Sequence, residues 1–155
     1  MIDIKIVIFP ETKVASITHI GSSEQEHITA RKLIDWKIKN HLLDQTKYRS
    51  YGLHYFDLDA TDPQKYRVDF CLSIEGGVEQ NDDGIYEQAI PCLRCAYACD
   101  IGSRMNNQAA RYLIKEWLPS SNEMPSGFPI IFHYVNVGPN IKEYEAITDV
   151  YLPLK

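Results

Sequence analysis

The chain repeats itself. At an offset of 81, PETKVASITHIGS (10–22) lies against PCLRCAYACDIGS (91–103), so that Pro10 meets Pro91, Lys13 meets Arg94, Ala15 meets Ala96 and Ile20-Gly21-Ser22 meets Ile101-Gly102-Ser103. The same offset carries Trp36 onto Trp117. With small gaps, LHYFD (53–57) falls against FHYVN (132–136) and RVDFCLSI (67–74) against ITDVYLPL (147–154). A repeat of this length constrains architecture before any element is assigned, because each copy must be a unit that buries its apolar face against the other. It predicts one domain over 1–155 made of two repeats, about 2–74 and 84–154, joined by the glycine-rich acidic stretch EGGVEQNDDG (75–84).

Each repeat reads as two strands, a helix and two more strands. IDIKIVIF alternates until Pro10 breaks it, and KVASITHI resumes as a second strand ending at Gly21. Ser23 and Glu26 have capping-box spacing, and Ala30, Leu33, Ile34 and Ile38 give the following helix, about 24–40, an apolar stripe. Strands over 51–58 and 66–74 flank the polar loop DATDPQK. The second repeat has strands at 85–90 and 93–101, a helix at 104–118 ended by Pro119, and strands at 128–137 and 145–154. Strand runs broken by one helix per repeat predict an α+β fold: a duplicated β-(β)-α-β-β module with pseudo-two-fold symmetry, one antiparallel sheet and both helices on one face.

The cysteine cluster PCLRCAYACD does not read as a metal or redox site. Cys92, Cys95 and Cys99 fall on Glu11, Val14 and Thr18 of the first repeat, which carry no ligand pattern. In a strand Cys95 and Cys99 are about 13 Å apart, and Cys92 and Cys95 point to opposite faces, so neither pair suits a disulfide. The expectation is structural thiols, no metal and no cofactor. A net charge of -5 with a pI near 5.5 argues against direct nucleic-acid contact. No apolar run approaches the ~18 residues of a membrane span and no signal-peptide pattern opens the chain, which reads as cytoplasmic.

FPETKVASITHIGSSEQ, YGLHYFD before an acidic proline-containing loop, the second turn at Ile101-Gly102-Ser103 and the ending ITDVYLPLK together resemble the GyrI-like small-molecule-binding domain. That domain is shared by SbmC-type stand-alone proteins, called gyrase inhibitors, and by effector domains of AraC-type and MerR-type regulators. The resemblance covers nearly all of 2–155. It implies a groove between the halves that takes aromatic, lipophilic and often cationic molecules. Many members carry a glutamate inside the penultimate strand, as a cation partner or, in members that hydrolyse cyclopropane-bearing compounds, as a catalytic group. Here that position falls on Phe132, and the glycine turns read GSS and GSR where G-P-x is common.

Tyr51, Tyr55, Phe132 and Tyr134 are the candidate groove residues, on the expectation that strand alternation puts them on one lining. Trp36 and Trp117 are expected either in the core or at a groove edge. His54 and His133 read as equivalent and as facing away from Tyr55 and Tyr134. Asp69 and Asp149 read either as outward carboxylates or as acids standing in for the missing glutamate. No nucleophile elbow or phosphate loop is present, so no catalytic residue is assigned. With the residues used up by the two repeats, no helix-turn-helix is expected. The leading function is non-enzymatic binding of aromatic, hydrophobic, cationic small molecules; a hydrolase of reactive compounds and a protein inhibitor are the alternatives, and a protein partner or homo-oligomer is left open.

Overall fold

The structure, a computed structural model, describes residues 2–55 and 66–155; the expected loop DATDPQK and the end of the strand before it fall outside those residues. The chain runs β1 (Lys5–Phe9), β2 (Thr12–Ile20), α1 (Glu26–Lys39), β3 (Ser50–Tyr55), β4 (Arg67–Ser73), β5 (Tyr86–Ile90), β6 (Leu93–Ile101), α2 (Gln108–Tyr112), α3 (Leu118–Ser120), β7 (Ile130–Tyr134) and β8 (Ile147–Pro153). The eight strands form one sheet, ordered β1-β6-β8-β7-β3-β4-β2-β5, in which every pairing is antiparallel. Exchanging β1 with β5, β2 with β6, β3 with β7 and β4 with β8 turns this order into its own reverse. Each half sends its first strand to the other: β1 pairs with β6, and β5 pairs with β2. Pro10 and Pro91 stand at the two corners where these strands turn back, at breaks in the ladder where a missing amide hydrogen costs nothing.

Both helices pack on one face. α1 lies over β2 and β4, with Leu33 buried against Ala15, Ile17 and Leu72 and Trp36 half-buried beside them. α2 lies over β6, with Ala109, Ala110 and Leu113 against Ala96, Ala98, Val150 and Leu152 and Trp117 half-buried at the margin. The alanines of both elements let helix and sheet approach closely, and full burial of Leu113 contributes about 1.5–3 kcal/mol. A third cluster, with Phe9, Val14, Tyr51, Leu53, Cys71, Ile90, Cys95 and Ile131, covers the middle of the opposite face. Alternation along β6 follows the sequence: Ala96 and Ala98 lie under the helix, Cys95, Tyr97 and Cys99 on the other side, and all four cysteines are free thiols.

Two helix assignments are corrected. The capping box at Ser23 and Glu26 does not form. Instead Ser22 caps a 3-10 turn, Ser23–Gln25, by accepting from the Glu24 amide at 3.2 Å, because Gly21, at φ 124°, turns the chain one residue earlier. The second helix is not continuous over 104–118. It starts as a 3-10 turn, Arg104–Asn106, restarts at Asn107, whose side chain accepts from the Ala110 amide at 2.9 Å, and widens to a π turn at Leu113–Trp117. The π turn leaves Pro119 in the first turn of α3, where its missing N–H is not needed. No helix among the described residues is long and apolar enough to cross a membrane.

Gly21 and Gly102 occupy matching corners. Their φ values, 124° and 133°, are closed to residues with a Cβ, and their amides donate to Tyr66 O at 2.9 Å and Ala146 O at 2.8 Å. Gly21→Ala and Gly102→Ala are therefore each expected to lower stability by about 1–3 kcal/mol, measured by urea unfolding. A neutral effect at either corner would contradict the equivalence.

Candidate ligand-binding site

The expected single lining of Tyr51, Tyr55, Phe132 and Tyr134 is not what the register produces. Tyr51 pairs with Cys71 and His133, and Tyr55 with Arg67; Phe132 pairs with Gly52 and Val150, and Tyr134 with Ser50 and Thr148. Residues directly opposite share a face. Phe132 and Tyr134 thus point toward the helices, and Tyr51 and Tyr55 away from them. His54 and His133 are likewise on opposite faces. The equivalent positions can be traced across the ladder: Thr18 faces Asp69, which faces Leu53, and Cys99 faces Asp149, which faces His133. The counterpart of Leu53 is His133 and that of His54 is Tyr134, one residue away from the sequence alignment of LHYFD with FHYVN. In a strand, a slip of one residue moves every side chain to the other face.

On the helix side, the central strands β3 and β7 lie between α1 and α2 and present a group of rings. The Phe132 and His54 rings meet edge to face at 4.5 Å, the Tyr134 hydroxyl lies 3.3 Å from His54 Nε2, and the Tyr66 ring is 6.4 Å from His54. Gly52 makes this possible, since a Cβ there would run into the Tyr134 hydroxyl. An acid and a base flank the rings. Tyr66 donates its hydroxyl to Glu26 Oε2 of α1 at 2.8 Å. Arg104, whose guanidinium stands 5.2 Å from the Tyr134 ring centroid, is anchored by Thr148 Oγ1 at 2.9 Å and the Ile147 and Asn136 carbonyls at 2.8 and 2.9 Å. Burial pushes the Tyr134 hydroxyl well above the usual phenol range, with the nearby Glu26 charge adding to it. Burial also holds His54 neutral, lowering it to about 4. The arrangement offers flat stacking surface, a neutral imidazole and a carboxylate at the rim.

The opposite face has a separate cleft of about 310 Å³, whose lining includes Arg49, Tyr51, Tyr97, His133, Asp149 and Tyr151. Tyr97 donates to Asp149 Oδ1 at 2.8 Å, and His133 Nδ1 lies 3.6 Å from Oδ2. Burial raises the Asp149 carboxyl, but the close approach of His133 and the hydrogen bond from Tyr97 outweigh it and hold the group below the ordinary carboxylate value. Asp69 does not point outward: it is 0% exposed, and it accepts from Thr18 Oγ1 at 2.7 Å and Tyr55 OH at 2.9 Å. Trp36 and Trp117 both sit in the helix–sheet packing of their own halves, Trp117 against the same core cluster as Phe132. Sequence reasoning missed Glu26, Tyr66 and Arg104. The only available signals were their places beside the two glycine turns and at the mouth of β4.

Two outcomes follow from the helix-side geometry. Gly52→Ala should destabilise by about 1–3 kcal/mol in urea unfolding, and Tyr134→Phe, which removes the clashing oxygen, should recover part of that loss in the double variant. With His54 at about 4 in the fold and near 6.5 when unfolded, the unfolded chain binds more protons between those values. This contribution is fully present above pH ~6.5 and falls by about 3 kcal/mol as pH drops to ~4. In His54→Gln the decline across that window should be visibly shallower.

The comparisons with known proteins agree with this architecture. The sequence model of the GyrI-like small molecule binding domain matches residues 2–155. The probable transcriptional regulator YgiV of Escherichia coli K12 is 30% identical over 154 residues, covering 99% of this chain and 96% of that protein. Among solved structures, the EcmrR C-terminal domain superimposes with a TM-score of 0.77 at 17% identity, covering 100% of this chain and 98% of that one. SAV2435 bound to tetraphenylphosphonium shares the fold at a TM-score of 0.55 and 11% identity, covering 99% and 94% of the two chains. A hydrolase from Listeria innocua does so at 0.66 and 10%, covering 98% and 91%. The chain belongs to the GyrI-like small-molecule-binding domain family, whose relatives include transcriptional regulators.

Proposed function

We propose that the chain is a non-enzymatic binding module for hydrophobic aromatic molecules, organic cations in particular, acting as an effector sensor or by sequestration. The observation that carries this reading is the gathering of the His54, Tyr66, Phe132 and Tyr134 rings between the two helices, with the Glu26 carboxylate at the rim. Ring faces attract cations electrostatically at ~0.5–2 kcal/mol each, and the same rings bury the apolar body of a ligand. Several such contacts reach the roughly 8 kcal/mol of micromolar binding. The tetraphenylphosphonium complex of SAV2435 supports an aromatic cation as the ligand class. Phe132 supplies no acid at the position where the resemblance implies a glutamate, which argues against turnover by the route of the hydrolytic members. The net charge of -5 supports a link to transcription through other protein segments rather than through DNA contacts of this domain.

Fluorescence titration with matched cationic and neutral aromatic dyes tests the reading, run beside a turnover assay. Binding of cationic dyes in the micromolar range without turnover is expected. Tyr134→Ala should weaken both dye classes. Phe132→Glu should favour the cationic dyes by about tenfold, the worth of one charge-assisted contact. If no dye binds in the high micromolar range, or if Tyr134→Ala changes nothing, the site is wrongly placed.

A further inference from the structure

The face away from the helices carries two carboxylates at matching register, Asp69, which is paired with an arginine, and Asp149, which has a histidine beside it and no arginine within ion-pair distance among the described residues. Each accepts from a tyrosine hydroxyl, Asp69 from Tyr55 at 2.9 Å and Asp149 from Tyr97 at 2.8 Å. Around Asp69 the chain supplies its own cation. Arg67 Nε lies 3.5 Å from the carboxylate, its guanidinium stacks 4.0 Å above the Tyr55 ring centroid, and Thr18 and Gln88 take the remaining acceptor positions at 2.7 and 3.3 Å. Arg67 stands two residues before Asp69; two residues before Asp149 stands Ile147. The facing pair Ser16 and Cys71 is matched in the other half by the facing pair Tyr97 and Tyr151, whose rings are 5.2 Å apart. The second half therefore has the acid and more ring surface, with an aliphatic side chain where the guanidinium would start.

We propose that the cleft at Asp149 is a second ligand site, separate from the ring cluster between the helices, and that it takes a small monovalent amidinium or guanidinium compound in the role Arg67 plays at Asp69. The charge pairs with the Asp149 carboxylate and the planar group lies against Tyr97 and Tyr151. The volume, about 310 Å³, is at the small end for organic ligands. Cys99 stands opposite Asp149, and three basic side chains also face this region. His133 shares the carboxylate at 3.6 Å, and Lys5, opposite Tyr97, turns its ammonium to Asp3 at 3.9 Å. Arg49, which lines the cleft and lies 6.0 Å from the Tyr51 ring centroid, disfavours a second positive charge on the ligand.

Benzamidine is a suitable probe, with neutral benzamide as its control, followed by calorimetric titration and protein NMR at low salt. Benzamidine is expected to bind at least about tenfold more tightly than benzamide, and Asp149→Asn to remove that preference. Ile147→Arg, which supplies an internal guanidinium, should abolish binding, while the neutral Ile147→Gln retains it. Circular dichroism checks that each variant folds; should Asp149→Asn fail to fold, Tyr97→Phe, which frees one side of the carboxylate, gives a few-fold change instead. Tyr134→Ala, on the other face, should leave the benzamidine-induced NMR shifts of Tyr97, Asp149 and Tyr151 unchanged. No binding at about 10 mM benzamidine, or binding that survives both Asp149→Asn and Ile147→Arg, overturns the proposal. So does binding lost only with Tyr134→Ala, which would assign the cation to the helix-side cluster and leave the primary reading intact.

Discussion

The pairing of β3 with β7 is the contact on which the rest of the molecule depends. It joins the two four-strand halves into one continuous sheet, and its register, Gly52 opposite Phe132 and Tyr51 opposite His133, decides which rings look toward the helices and which look away. Backbone hydrogen bonds hold that register, and the alternation of side chains turns it into two chemically different surfaces. On one surface His54, Phe132 and Tyr134 meet beneath the gap between α1 and α2. On the other, Tyr51 packs edge to face on Phe9, which packs on Tyr151, so the curled sheet closes its own centre and leaves space only to the side. The exchange of β1 and β5 between halves reinforces the seam, because each half is bounded by a strand of the other.

Much of this was legible in the residues. The glycine turns, the tryptophans and the alternation of LRCAYACDI fix element order and the helix-facing side of β6, because period-2 patterning and positive-φ glycines are local signals. What could not be read was register across a gap. Aligning LHYFD with FHYVN is the better match of letters, yet the ladder equates His54 with Tyr134, and one residue of error placed Phe132 and Tyr134 with Tyr51 and Tyr55. The interrupted second helix was also hidden: Pro119 signals an end, but the π turn that accommodates it depends on the packing of Leu113 and Trp117 against the sheet. Glu26 and Tyr66 are far apart in sequence and meet only because Gly21 brings the start of α1 back over β4, its amide bonded to Tyr66 O.

The two aspartates show how a common backbone yields unlike sites. A carboxylate as buried as Asp69 is tolerated only when its lone pairs are filled, since an unpaired buried charge costs several kcal/mol. Thr18, Tyr55 and Gln88 fill them, Arg67 sets its charge 3.5 Å away, and small neighbours, Ser16 and Cys71, leave room for those partners to close in. Replacing the small pair by Tyr97 and Tyr151 holds the surroundings of Asp149 apart. That carboxylate stays partly exposed, with Tyr97 and His133 beside it and Cys99 opposite. Side-chain volume two positions from the acid, rather than the acid itself, thus determines whether the matching positions of the two halves form a sealed polar network or an open aromatic cleft.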